Sequence, residues 1–318
     1  MNHRLETIAL WAAYFLIFGG MIFVKGEHAI HIAAEIVILG LFAISFNVLF
    51  GNTGLLSFGQ ALFYGLGAYI TGMIAKKFGG DHFLWALLLV PVVTIAVSLI
   101  LGVLSLRLSD VYFTMLTLAF AQLVWGICIK WYEFTSGDDG IQAIPKPGIL
   151  TGGLNYYVFS FIVVTICLYL LWRLHRSPFG TILKGIRQNP TRINFIGMNV
   201  FRHKLLAYVI SSCFTAIAGG LYAGLDGSIH PDMFVWTMSG SIILMTILGG
   251  MRSFFGPIIG VAVFVLLEDV IGRSTQYWSF VIGAIMIIVV MLFPKGIVGV
   301  SRHFAGLFAK KGDPLEHP

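Results

Sequence analysis

The sequence is short of charge. Only 11% of its 318 residues are Asp, Glu, Lys or Arg, against roughly 25% in an ordinary soluble domain. That deficit excludes a soluble enzyme and a disordered chain. Cysteine is scarce too. Cys128, Cys167 and Cys213 stand far apart in apolar segments, a spacing that makes neither a disulfide frame nor a zinc site. They read as small buried hydrophobes. No Gly-Lys dipeptide occurs, so no G-x-x-x-x-G-K-[ST] loop can cradle a nucleotide. H-E-x-x-H and G-x-S-x-G are missing as well, and no set of nucleophile, base and orienting group is visible.

What the chain has instead is apolar length. Hydrophobic residues make up 58% and the mean hydropathy is +0.91. The excess is spread from end to end, which implies an all-α polytopic membrane protein. A helix needs roughly 20 apolar residues to span hydrocarbon. The runs place about ten spans, at 7–24, 30–50, 55–75, 83–106, 110–130, 156–173, 204–225, 234–251, 253–271 and 276–293. The first could pass for a signal peptide, but it is long for one and no cleavage site follows; it reads as an anchor that stays. Two boundaries fall at the Gly-rich breaks Gly51-Asn52-Thr53-Gly54 and Gly249-Gly250-Met251-Arg252. Each is either a tight hairpin or a broken helix. Phe58-Gly59 and Phe255-Gly256 each follow a break, an echo that pseudo-symmetric halves would produce.

The formal charge of +6 sharpens when it is resolved by side. With both termini cytoplasmic, the inside carries fourteen basic residues against four acidic, and the outside six against nine. This is the positive-inside bias, and nothing in it calls for nucleic acid. The chain then reads as one transmembrane domain, 1–318, with a cytoplasmic loop at 174–203 and a cytoplasmic tail at 294–318. The longest outside loop, Trp131 to Asn155, is rich in Gly and Pro and is expected to be irregular.

Arg173 to Lys204 holds seven basic residues and no acidic one. Ser177 suits an N-cap and Pro178 the first helical position. Phe179, Ile182, Leu183 and Ile186 follow at i, i+3, i+4 and i+7, one face of a helix. Asn189-Pro190 ends it. A second short turn can run from Pro190 to Ile196, stopped at Gly197. Such an amphipathic helix lies on lipid or fills a partner's groove.

Polar side chains are costly in hydrocarbon, so they face the bundle or a wet path. The densest group, Ser45, Asn47, Asn52, Thr53, Ser57 and Gln60, surrounds the first Gly-rich break. Thr114, Thr117 and Gln122 form a weaker second group. Both suit either a pathway or interhelical hydrogen bonds. Small residues recur at i, i+4 in Ser57, Ala61 and Gly65, in Ser212, Ala216, Gly220 and Gly224, and in Gly256 and Gly260; these read as close helix contacts. His31 and Glu35 lie one turn apart near the outer interface and read as locally hydrogen-bonded. Glu268 and Asp269 are adjacent and cannot point the same way.

Several segments resemble the branched-chain amino acid ABC permeases, and the LivM-type subunit among them. They are Phe46 through Ala61 with Phe63 and Gly65-Leu66-Gly67-Ala68-Tyr69; Ser177-Pro178-Phe179-Gly180 with Ile186-Arg187-Gln188-Asn189; Gly197-Met198-Asn199-Val200; Leu248-Gly249-Gly250-Met251 with Phe255-Gly256-Pro257; and Phe293-Pro294-Lys295-Gly296. The resemblance implies a non-catalytic subunit of an importer in a bacterial inner membrane. It implies a second, similar permease, two cytoplasmic ATPases and a periplasmic binding protein as partners. This chain would bind no cofactor, and ATP would sit on the ATPases. The coupling helix falls on Phe179 to Gln188, with Phe179, Ile182, Leu183 and Ile186 filling an ATPase groove and Arg187 at its rim. The family often has an acidic residue after the Ile-Arg pair; Gln188-Asn189-Pro190 has none, so no salt bridge is expected there. Asn47, Asn52, Ser57, Gln60, Thr114 and Thr117 become the candidate path residues. Related permeases carry urea, amides or small organic acids, and a proton-coupled secondary transporter using Glu35, Glu268 or Asp269 is the rival class.

Overall fold

A computed structural model describes residues 3–21, 26–108, 110–274, 277–292 and 296–297. Its helices, in chain order, are α1 (His3–Gly20), α2 (Glu27–Thr53), α3 (Gln60–Phe78), α4 (Phe83–Ser105), α5 (Asp110–Lys130), α6 (Tyr132–Thr135), α7 (Gly153–Arg176), α8 (Pro178–Gln188), α9 (Pro190–Phe195), α10 (Val200–Asp226), α11 (Trp236–Gly249), α12 (Gly256–Ser274) and α13 (Trp278–Leu292). Among the described residues, ten of these have 14 residues or more, and they follow the ten expected spans in order. The protein is all-α and polytopic. Five of the helices, α2, α4, α5, α7 and α10, are long and apolar enough to cross a bilayer by length and composition. At 14 and 15 residues, α11 and α13 are short. Of the expected tail, only Gly296 and Ile297 belong to the described residues.

The centre of the bundle is α2. It is almost wholly buried and is surrounded by α7, α10, α11 and α12. The expected N-terminal anchor packs against the bundle. The Trp11 ring meets Phe255 edge-on at 5.2 Å, Tyr14 stacks on Phe161 at 5.5 Å, and the Tyr157 hydroxyl donates to the Phe18 carbonyl at 2.5 Å. On the opposite side α4 presents Trp85, Leu88, Val92 and Ile100 outward, the apolar face that the composition demands. The loop after α5 is irregular, as expected. It is stitched to the turn after α10 by paired Ile141 and Ile229 backbone bonds of 2.8 Å and by Ile144 N–H to the Gly227 carbonyl at 2.9 Å. Lys146 lies 4.8 Å from the Tyr156 ring centre, and burial lowers its pKa against the opposing pull of Asp226.

Lipid tails are as apolar as leucine, so helices associate through close packing and interhelical hydrogen bonds. The small-residue stripes supply part of the packing, as where a Cβ on Gly260 would stand 1.8 Å from the Met245 carbonyl oxygen; Gly67 and Gly219, outside the stripes, supply more. A Cβ on Gly67 would stand 1.9 Å from the Ala216 carbonyl oxygen, and one on Gly219 equally close to that of Tyr64. The α3 and α10 backbones therefore touch. Gly67→Ala should force the two apart, at a cost of about 1–3 kcal/mol for overpacking. Gly126→Ala, with nothing within 4 Å of the new methyl group, should leave stability unchanged or slightly raised. Thermal unfolding of the two purified variants in detergent separates them; equal melting temperatures would mean that this contact does not hold the bundle.

Candidate functional site

The first break begins later than its glycine suggests. Gly51, Asn52 and Thr53 are still helical, and α2 ends at Gly54. Gly54 adopts φ +80° and donates to the Phe50 carbonyl at 3.0 Å, the left-handed cap that ends many helices. The Thr53 hydroxyl donates back to the Leu49 carbonyl at 2.5 Å. The chain then returns through residues 54–59 before α3 starts at Gln60.

That return is deep. Thr215 donates to Gln60 Oε1 at 3.2 Å, and the Thr215 and Ser45 hydroxyls are 2.7 Å apart. Ser45 lies eight residues before Thr53, about 12 Å back along α2 at 1.5 Å per residue. Segment 54–59 therefore climbs back into the bundle, so this break is no tight hairpin. A second bond, Ser211 Oγ to the Ser45 carbonyl at 2.6 Å, continues the polar column on α10.

Two helices hold the returning backbone. On α11, Ser239 accepts from Ala61 N–H at 2.9 Å and donates to the Phe58 carbonyl at 2.7 Å. It acts as an N-cap for α3 supplied from another helix. On α5, Thr114 donates to the Leu56 carbonyl at 2.8 Å, and Thr117 donates to the Thr114 carbonyl at 2.9 Å. Ser57 turns inward and accepts from Gly59 N–H at 3.2 Å. Thr114 and Thr117 of the second expected polar group thus meet the first group at one break; no hydrogen bond among the described residues brings Gln122, the third member, to it. Ser239 was not read from the sequence: it is a lone serine whose partner lies 178 positions away, and no local pattern marks it.

Four buried polar atoms here have no hydrogen-bond partner among the described residues: Asn47 Oδ1, Asn52 Nδ2, Gln60 Nε2 and Thr246 Oγ1. Thr246 is on α11, one helix turn before the second break at 250–255. The breaks adjoin. A Cβ on Gly51 would meet Asn47 Oδ1 at 2.2 Å and the Met251 carbonyl at 3.1 Å. Unsatisfied amides are rare in folded interiors; three of the four found among the described residues lie at this break, and the fourth, Gln122, is within α5.

The loop helix forms as its residues require. Ser177 accepts from Gly180 N–H at 3.4 Å to cap α8, and Asn189 accepts from Arg192 N–H at 3.0 Å to cap α9. Gly197 takes φ +85°. The apolar stripe points the other way from expectation. Leu183 is 0% and Ile186 1% exposed, packed with Leu49, Leu55 and Tyr208 of the same chain. Phe179 and Ile182 lie half-buried against that cluster. These four side chains seat α8 on its own bundle, because the nearest apolar surface is the end of α2. Arg187 also turns inward and donates to the Gly51 carbonyl. It therefore reaches the first break, while the residue itself remains exposed beside Gln188. Lys184, Gln188, Phe195 and Ile196 are left exposed; Phe195 is 87% exposed. Burial and then the Arg176 charge lower the Lys184 pKa, while its ammonium lies 3.0 Å from His175 Nε2.

An all-α polytopic bundle with a deep backbone return, stranded amides and a capped helix below it is the architecture of a transport permease. Residues 29–290 match the family described as branched-chain amino acid transport system, permease component, and the chain belongs to that family. It is 27% identical to the high-affinity branched-chain amino acid transport system permease protein LivM of Salmonella typhimurium, covering 88% of this chain and 72% of that one. It is 26% identical to the probable permease LivH of Methanocaldococcus jannaschii, covering 83% and 89%. It is also 28% identical to the galactose/methyl galactoside import permease MglC of Escherichia coli, covering 65% of each. No solved structure matches the chain.

Ser239→Ala should leave Ala61 N–H and the Phe58 carbonyl unpartnered in a dry site, a loss of about 2 kcal/mol or more. A clear drop in melting temperature is the expected result. A variant that melts with the wild type would remove Ser239 from the frame of the break.

Proposed function

We propose that this chain is the membrane subunit of an ATP-driven importer for branched-chain or related amino acids. It lies in a bacterial inner membrane with both termini cytoplasmic and forms half of the translocation path. A second, similar permease supplies the other half. Two cytoplasmic ATPases bind and hydrolyse ATP, and a periplasmic protein delivers the substrate. This chain itself catalyses nothing and carries no cofactor.

One observation carries the reading: the Arg187 hydrogen bond to the Gly51 carbonyl joins the loop helix to the end of α2. Asn47 and Asn52 lie on that last stretch of α2, and Ser57 and Gln60 on the return that follows. A displacement of α8 by the ATPases therefore moves the first break directly. Packed helices shift between discrete arrangements rather than deforming smoothly. With α8 pushed, the return at 54–59 rearranges and the stranded amides of Asn47, Asn52 and Gln60 are exposed to substrate on one side or the other. Neutral amides and free backbone groups suit a zwitterion, since both kinds of hydrogen-bond partner are present. Thr114 and Thr117 shape the wall from α5. The ATPases meet the surface that α8 and α9 leave exposed, with Phe195 and Ile196 as apolar anchors and Lys184 and Gln188 beside them.

Arg187→Ala removes a charge-assisted bond worth about 1.5–3 kcal/mol, about tenfold or more in a rate. Uptake of labelled leucine by cells or vesicles holding the whole importer should fall by that factor while both ATPases still co-purify. Uptake at the wild-type rate would disprove the link. Phe195→Asp with Ile196→Asp should have the opposite profile: the chain inserts normally but the ATPases no longer co-purify. Full recovery of the ATPases would move the docking surface elsewhere. Leucine uptake by the purified chain alone, driven by a proton gradient, would favour the secondary-transporter class.

A further inference from the structure

A slot of about 680 Å³ opens on the side of the bundle, between the second half of α3 and the first half of α4. That volume is within the range of pockets that hold whole small ligands. Its apolar lining is Ile70, Met73 and Ile74 of α3, Leu89 and Val93 of α4, and Phe134 of α6. Its polar lining includes Lys76, Lys77, Glu133 and Ser136. The two kinds of residue are sorted by height. Lys76 and Lys77 are in the last turn of α3, and Glu133 and Ser136 come just after the end of α5. Ile70 is six residues before Lys76, about 9 Å down α3. Val93 is ten residues after Phe83, about 15 Å down α4. The slot is therefore charged at its mouth and apolar below it, and it runs about as deep as one leaflet of the hydrocarbon core, roughly 15 Å.

Two observations set this slot against the bilayer. Trp131 and Tyr132, directly before Glu133, are exposed, and such aromatic residues collect at the membrane–water interface. Leu89 is itself exposed, and so are Leu88 and Val92 beside it on α4. The slot is thus continuous with the apolar outer face of α4, and an occupant can enter it sideways from hydrocarbon. Water is a poor filling for such walls, which offer it no partners. The charges at the mouth do not neutralise each other. The side chains of Lys76, Lys77 and Glu133 make no ion pair or hydrogen bond among the described residues, and the Lys77 ammonium lies 5.8 Å from the centre of the Phe78 ring.

We propose that this slot binds one aminophospholipid, with an acyl chain between α3 and α4, the phosphate on Lys76 and Lys77, and the primary ammonium on Glu133. An acyl chain is the apolar body that walls of this depth require. Lysine binds phosphate as a point charge, and the Ser136 hydroxyl adds a donor beside it. A primary ammonium brings three donors to a carboxylate that only accepts. The two signs of charge at one mouth define the headgroup. Phosphatidylglycerol offers the phosphate but brings no cation to Glu133. Phosphatidylcholine brings a cation with no N–H to donate. Phosphatidylethanolamine supplies both groups. Held there, it ties α6 and the loop behind it to α3 and α4, and the site stands whether or not the chain works in an importer.

The test uses the full-length chain, stripped of lipid in detergent, and counts bound lipid by native mass spectrometry. Dioleoyl phosphatidylethanolamine, phosphatidylglycerol and phosphatidylcholine are titrated separately. The wild type should hold one phosphatidylethanolamine at least tenfold more tightly than phosphatidylcholine. Lys76→Gln with Lys77→Gln should weaken phosphatidylethanolamine and phosphatidylglycerol tenfold or more. Glu133→Gln should weaken phosphatidylethanolamine and leave phosphatidylglycerol as tight as before. Leu89→Trp, which fills the slot, should weaken all three. These four positions are exposed, so each variant should melt with the wild type. Equal affinity of the wild type for the ethanolamine and choline lipids would overturn the amine recognition. Unchanged phosphatidylethanolamine binding by the double lysine variant would overturn the phosphate seat. Phosphoethanolamine without chains, binding as tightly as the lipid, would overturn the acyl slot. The same count is then made on the chain extracted with its co-purifying subunits. One phosphatidylethanolamine per chain there supports the site; its loss on assembly would mean that a partner subunit covers this face and would overturn the lipid as its occupant.

Discussion

The structure turns on one constraint: a backbone that leaves its helix inside a membrane must have every polar group satisfied by protein. In hydrocarbon no water stands ready to do it, and irregular backbone survives only where it is enclosed or lines a cavity. Several backbone groups in and beside residues 54–59 are met by long-range donors and acceptors. Ser239 serves Phe58 and Ala61, Thr114 serves Leu56, and Arg187 serves Gly51 just before the break. Three separate elements, α11, α5 and α8, are thereby tied to one return of the chain. The same ties would pass a displacement of α8 to the break, as the proposed function requires. A segment held by few, identified hydrogen bonds has discrete alternatives, whereas a continuous helix has none.

Much of this was legible from the residues. The ten long helices follow hydropathy, since each apolar run is long and the runs are separated by glycine, proline or charge. The caps of α8 and α9 follow from Ser177-Pro178 and Asn189-Pro190, whose side chains and missing N–H groups act within three residues. What could not be read is direction. Helical spacing shows that Phe179, Ile182, Leu183 and Ile186 share a face, but it does not say whose apolar surface covers it. The end of α2 is the covering surface, and Leu49 and Leu55 lie more than a hundred positions away in sequence. Ser239 and Thr246 escaped for the same reason: a lone hydroxyl in an apolar run carries no sign of its partner. The stripe glycines Gly256 and Gly260 are contact points as their spacing suggests, whereas Gly67 and Gly219, where the α3 and α10 backbones touch, lie outside the i, i+4 stripes.

The break also placed its own boundary. Gly51 looks like the residue that ends α2, yet it is helical. Its lack of a side chain serves packing, leaving room for Asn47 and for the Met251 carbonyl. Gly54 is the residue that needs a positive φ. Glycine has two uses, conformational freedom and absence of bulk, and a Gly-x-x-Gly pattern does not say which glycine has which. Here the division brings the two helix breaks of the bundle into contact.

The two ends of the chain's polar interior differ in kind. Near α8 the stranded groups are amides and a hydroxyl, neutral and able to donate or accept. At the far end stand carboxylates, Glu35 of α2 with Glu268 and Asp269 of α12, the last paired with Arg273 and His28. A net cation would bind the acidic end and find little to draw it onward. A net anion would be repelled at the acidic end. A zwitterion with both charges on one carbon is too small to touch the two ends at once, about 18 Å apart along α2, and would meet them in turn. The gradient from charged to neutral also limits how tightly the path can hold its cargo. Neutral hydrogen bonds are roughly half as strong as charge-assisted ones, so each step inward loosens the grip, and a permease that must release what it receives needs its stronger contacts at the point of entry.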